Sequence, residues 1–168
     1  NKINPNNESE DIVFSAGDVV FNKVEFAYNS NLDNVVLKDL SLRFQGGKMT
    51  ALVGHSGSGK STILNMIPRI YSPHKGNIEI DGQDIANKNL ISIRKEISIV
   101  DQNTTLFDDT IKNNIRYAKP EANDYEIFKA AELAMCKEFI EKLDNGYETI
   151  IGENGVKLSG GEKQRLSI

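Results

Sequence analysis

A single cysteine, Cys136, stands in the 168 residues, so no internal disulfide is possible and a reducing cytosol fits. Its expected role is that of a small buried apolar residue on a helix. Long apolar runs are missing too: none approaches the roughly 18 residues needed to span a bilayer. The start carries no signal-peptide pattern. The chain reads as soluble by itself, with docking onto a membrane partner still open. An excess of basic charge is also lacking, because the net charge is -4. That argues against nucleic acid as the main ligand, since phosphate-backbone binding shows as a basic face. No internal repeat is visible. What remains is 39% hydrophobic and 26% charged, the make-up of a globular protein long enough for one domain with a sizeable core.

Residues 1–17 are rich in Asn, Glu and Ser with little periodicity and read as a linker from a preceding domain. Asn1 is not a native start, so the expectation is a piece of a longer protein. Val19–Tyr28 and Val35–Phe44 read as antiparallel strands separated by the polar stretch 29–34. Met49–Val53 is a short apolar run, as expected of a buried parallel strand. Helical spacing follows at Ile63, Leu64, Ile67 and Ile70. Gly76–Asp81 reads as a strand ending in a turn at Asp81-Gly82, Asn89–Lys95 as a short helix, and Ile97–Val100 as a second buried strand. From Thr110 to Leu143 the pattern is helical. Asn123 is placed to cap one helix with Glu126 in the capping-box position, and Ile127, Ala130, Ala131 and Ala134 form its apolar face. Ser159 opens a last helix. Strands alternating with helices around 49–100 imply an α/β sheet. The mainly helical stretch from about 103 to 157 is expected to form a subdomain.

Gly54-His55-Ser56-Gly57-Ser58-Gly59-Lys60-Ser61, followed by Thr62, fits the phosphate-cradle pattern G-x-x-x-x-G-K-[ST]. Glycines let the backbone wrap closely around a phosphate. Successive amide N–H groups form a nest for the anion, and the next helix presents its N-terminus to negative charge. Residues 54–62, Thr62 included, are expected to bind ATP, with Lys60 reaching the β- and γ-phosphates and the Ser61 hydroxyl ligating Mg²⁺. His55 reads as a solvated side chain of the loop, not a catalytic base.

A second glycine pair lies about a hundred residues on. Leu158-Ser159-Gly160-Gly161-Glu162 resembles the L-S-G-G-Q signature of the ABC ATPase family, with Glu at the last place. There Ser159 caps a helix and Gly160 and Gly161 expose amides beside a phosphate. Tyr28 resembles the family's A-loop aromatic that stacks on adenine. Gln102 resembles the Q-loop glutamine that ligates Mg²⁺ and senses the γ-phosphate. Thr149–Gly155 and Leu106–Ile111 resemble segments of exporters of the multidrug and lipid-flippase type, where Glu153 would contact the membrane domain.

The resemblance runs over about 20–168. It implies a P-loop NTPase-type parallel sheet with an antiparallel β subdomain and a helical subdomain, incomplete at its C-terminus. Residues 18–168 would be a partial ATP-binding domain and 1–17 the link from a transmembrane domain. The implied function is an ATP-driven motor at the cytoplasmic face of a membrane. Two copies would bind ATP and Mg²⁺ head to tail, the P-loop of one under Ser159, Gly160, Gly161 and Glu162 of the other, with Lys60 and Gln102 in catalysis. The family's Asp-Glu strand and switch histidine are not reached by Ile168, and His74 reads as a solvated turn residue. These 168 residues alone are therefore expected to turn ATP over poorly or not at all. A soluble ABC ATPase without a membrane domain, and a regulatory module that binds ATP without turnover, remain open alternatives.

Overall fold

The computed structural model describes residues 9–29, 34–101 and 104–168. They fall into two compact units, one up to Ser98 and one from Ile99 to Ile168. Among the described residues no helix is long and apolar enough to cross a membrane.

The first unit is built on an antiparallel sheet in the order β2-β1-β3-β4, comprising β1 (Val19–Ala27), β2 (Val35–Phe44), β3 (Lys75–Ile80) and β4 (Gln83–Asp84). Val19 pairs with Phe44 on one side and Ile80 on the other, and Phe21 with Leu42 and Ile78. Strict alternation would put Phe21 and Val24 on opposite faces, yet both are buried. The register shift between Phe21 and Val24 resolves this, with Lys23 at φ 48 as the extra residue. Gly76 lies against the bulge. A Cβ there would collide with the carbonyl oxygens of Asn22 and Lys23, so only glycine lets β3 approach.

One face of the sheet receives α1 (Lys60–Met66), which buries Thr62, Ile63 and Met66. Phe21, Val24, Phe26, Leu37, Ile78 and Ile80 complete the core, with Ile93 of α2 (Leu90–Lys95). Each such aliphatic or aromatic side chain contributes about 1.5–3 kcal/mol on full burial. Asn89 caps α2 by accepting the Ile91 amide. Residues 9–18 are tied along this unit: Gln83 Nε2 donates to Val13 O at 2.6 Å, and the amides of Ser15, Gly17 and Asp18 donate to the Asp81 carboxylate.

Two expected strands are not formed. Residues 49–53 and 97–100 make no ladder among the described residues, and no parallel strand pair exists there. Met49 is 100% exposed and Val53 93%, while Ile99 and Val100 are about half exposed. Their apolar sequence is that of buried strands, but a strand exists only where a neighbour takes up its backbone groups. Leu64 and Ile70, expected on a helix face, are also half exposed.

In the second unit the helical pattern from Thr110 resolves into α3 (Ile111–Arg116), α4 (Asp124–Leu133) and α5 (Lys137–Ile140). The break after α3 contains Pro120, which cannot continue a helical ladder. The break after α4 has Met135 in the left-handed region. The expected capping box is present: Asn123 Oδ1 accepts from the Glu126 amide at 3.0 Å, and Glu126 Oε2 from the Asn123 amide at 2.9 Å. Ile127 and Ala131 are buried, Ala134 is half-buried and Ala130 is exposed, so the apolar face is narrower than expected. Cys136 is buried at the start of α5 beside Ile111, Ile140 and Ile151, as a small hydrophobe. Burial pushes its thiol pKa up. The unit ends in α6 (Gly160–Leu166).

Candidate phosphate-binding site

The glycine loop joins residues 49–53 to α1. Ser58 N donates to His55 O at 3.2 Å, closing a turn, and Gly57 has φ 80. Gly59 is the N-cap of α1 with φ 85 and provides no side-chain cap to the first turn. It must be glycine twice over. Its φ is left-handed, and a Cβ would come within 2.8 Å of Leu37 Cδ2, a buried core atom.

Lys60 folds back over the loop. Its Nζ donates to Gly54 O at 2.8 Å, to His55 O at 2.7 Å and to Ser58 Oγ at 3.3 Å. All three ammonium protons thus point at one small loop, with the positive charge at its centre. His55, Ser56, Ser58 and Ser61 are exposed around it. The arrangement offers a cation, a run of backbone amides and a helix N-terminus to the same spot, which suits a phosphate.

Thr62, the next residue, behaves differently. It is 4% exposed, the one buried polar side chain among the described residues, and its Oγ1 lies 2.7 Å from Tyr28 Oη. Tyr28 itself is 58% exposed. Its ring stands edge-on to Phe26 and Tyr71, with centroids 5.1 and 5.3 Å apart. His74, expected as a solvated turn residue, is exposed but engaged. Its ring stacks on Phe26 at 5.7 Å, and its Nε2 lies 2.9 Å from Ala27 O. The Tyr28–Thr62 contact and the roles of Tyr71 and His74 have no sequence signal, because each joins residues far apart in the chain.

The second candidate cluster belongs to the other unit. Ser159 caps α6 by accepting the Glu162 amide at 3.4 Å, and Glu162 Oε2 accepts from both Ser159 N and Ser159 Oγ at 2.7 Å. These bonds, the hydroxyl's first, hold the Glu162 carboxyl below its ordinary pKa. Gly160 and Gly161 are exposed. A Cβ at Gly160 would meet nothing within 4 Å, and one at Gly161 only Arg165 NH1 at 3.6 Å. The chain's own packing therefore does not require glycine at either position. Glu153 is exposed on a 3-10 turn, Glu153–Gly155. Gln102 lies outside the described residues. Among the described residues no group of three or more His, Cys, Asp or Glu is placed to hold a metal.

Comparison with known proteins places this geometry in context. The profile of one family, described as ABC transporter, matches residues 37–168. The ABC transporter B family member 13 of Arabidopsis thaliana is 45% identical over 99% of this chain and 14% of its own length. The ATP-dependent lipid A-core flippase of Photorhabdus laumondii is 49% identical over 90% of this chain and 26% of its own length. The solved structure of a bacterial Atm1-family ABC exporter with ATP bound superposes with a TM-score of 0.90 at 43% identity, covering 95% of this chain and 28% of that one. The chain thus spans between about one seventh and just over a quarter of the length of these relatives.

Proposed function

This chain belongs to the ABC transporter family, and on that premise we propose that it is the ATP-binding motor unit of an ABC exporter. The Lys60 ammonium centred on a glycine loop at a helix start carries this reading. In the bound complex, β- and γ-phosphate oxygens replace the carbonyls of Gly54 and His55 as acceptors for Lys60. That exchange swaps neutral acceptors for charged ones and strengthens each bond. Amides of residues 57–62 add donors from the backbone. Ser61, exposed at the rim, and Gln102 would hold Mg²⁺, whose chemistry is to neutralise charge on the β- and γ-oxygens. Tyr28, half exposed, offers a ring face to adenine.

Ser159, Gly160, Gly161 and Glu162 close over the triphosphate held by a second copy. The unforced glycines of α6 support this, since bare backbone there serves something outside the chain's own core. Glu162 brings a carboxylate toward that phosphate, and its pairing with Ser159 N and Oγ offsets part of its charge. Thr149–Gly155 and exposed Glu153 favour an exporter, with a transmembrane domain as partner and the cytoplasmic face of a membrane as location.

Calorimetric titration of the full-length protein with Mg²⁺–ATP, beside Lys60→Ala, tests the cradle. Loss of charge-assisted bonds predicts a fall in affinity of roughly 10- to 100-fold. Equal affinity in a folded Lys60→Ala variant would remove the phosphate role from Lys60 and with it the reading.

A further inference from the structure

Tyr28 and Thr62 are 34 residues apart in sequence, one just past the end of β1 and the other in the first turn of α1. Their hydroxyl oxygens meet at 2.7 Å, the usual separation of a good O–H···O bond. Thr62 is buried, so its hydroxyl needs a partner, and Tyr28 supplies it. Among the described residues the Tyr28 ring pairs with two other rings, in T-shaped contacts with Phe26 and Tyr71. Those contacts tolerate sliding and tilting; the hydroxyl bond does not. Thr62 in turn is fixed by the helix that begins at Lys60, whose ammonium lies in the phosphate cradle.

We infer that the Tyr28–Thr62 hydrogen bond is a strut that sets the position of the base platform relative to the phosphate cradle, making Thr62 a positioning residue for the nucleoside end of the ligand. The inference rests on the reading of Tyr28 as the adenine platform. Either hydroxyl can donate in this bond, and the strut is the same in both cases. With this bond made, the ring reaches the ligand already placed, and less conformational freedom is lost on binding. A nucleoside triphosphate then spans two points at one fixed separation, whereas a bare triphosphate uses only one of them.

The test is a calorimetric comparison of ATP and inorganic tripolyphosphate, both with Mg²⁺, on the full-length protein. Tyr28→Phe keeps the ring and removes the strut, and it is expected to weaken ATP about three- to tenfold while leaving tripolyphosphate unchanged. In a Thr62→Val background, Tyr28→Phe is expected to have no further effect, because the strut is already gone. Tripolyphosphate affinity falling in parallel with ATP affinity would mean only that α1 had loosened, and would overturn the inference. So would a Tyr28→Phe effect of equal size in both backgrounds. If Tyr28→Phe is silent but Tyr28→Ala selectively weakens ATP, the platform stands and the strut is wrong. If Tyr28→Ala is silent as well, the platform reading fails first.

Discussion

Gly59 shows how one position joins fold to function. An alanine there meets two costs. The left-handed conformation costs a residue with a Cβ roughly 1–2 kcal/mol, and the new methyl falls 2.8 Å from Leu37 Cδ2. Leu37 is buried in the core, so the second cost is relieved only by moving packed atoms. Gly59→Ala is expected to lower stability by about 1–3 kcal/mol in urea unfolding and to abolish ATP binding. Gly160→Ala provides the contrast. Its Cβ would meet nothing within 4 Å, so stability should hold within about 0.5 kcal/mol. Two glycines that look alike in sequence thus separate into one demanded by the chain's own packing and one that is not. A large stability loss in Gly160→Ala would erase that distinction.

At the scale of an element, α4 shows which features a sequence announces. Its start was legible because the capping box is local: Asn123 and Glu126 lie three residues apart and satisfy each other's backbone. Its end was not, because the turn uses methionine where glycine is usual. Met135 N donates to Glu132 O and Cys136 N to Ala131 O, the paired bonds of a Schellman ending, with Met135 at φ 57. Its side chain is largely exposed, so little packing depends on it. Glycine would relieve roughly 1–2 kcal/mol of backbone strain and cost about 0.5–1 kcal/mol in unfolded-state entropy. Met135→Gly is therefore expected to stabilise by about 0.5 kcal/mol in chemical denaturation, and a destabilised variant would mean that the side chain matters more than the turn. Residues 49–53 and 97–100 mark the opposite limit. Their apolar runs are plain, but a strand is a relation between two segments, and no described segment pairs with either. Likewise the P-loop motif could be read from spacing, while the Tyr28–Thr62 bond could not.

Across the whole first unit, residues 9–18 act as a strap attached through side chains of the β3–β4 turn, of the segment that leads into α2 and of α2 itself. Ile12 N donates to Ser92 Oγ at 3.0 Å, Glu10 pairs with Lys88 at 3.0 Å, and Gln83 grips Val13 from both sides. Asp81 is the centre of this attachment. Its carboxylate accepts from Ser15 N at 2.7 Å, Gly17 N at 3.1 Å and Asp18 N at 2.9 Å. Those amides, Ser15's foremost, lower its pKa from 3.8 to about 2 despite an opposing effect of burial. The sign follows from linkage: a carboxyl whose folded pKa is depressed favours the folded state while it is ionised. That stabilisation is complete above the ordinary value near 3.8 and is lost as pH falls through about 2. Protonation also replaces three charge-assisted bonds with weaker ones. The expected outcome is that hydrogen-exchange protection of the amides of Ser15, Gly17 and Asp18, taken relative to the intrinsic rate at each pH, falls between about pH 4 and pH 2 ahead of protection in β1. Asp81→Asn tests the cause, since asparagine tolerates the left-handed backbone at φ 50 while carrying no charge. In that variant the protection of the same amides should already be low at pH 7 and should not fall further on acidification. An acid-dependent release that survives in Asp81→Asn would assign the titration to another carboxyl, with Asp18 the first to examine, because its own pKa is lowered by the Gly46 amide and then by Arg43.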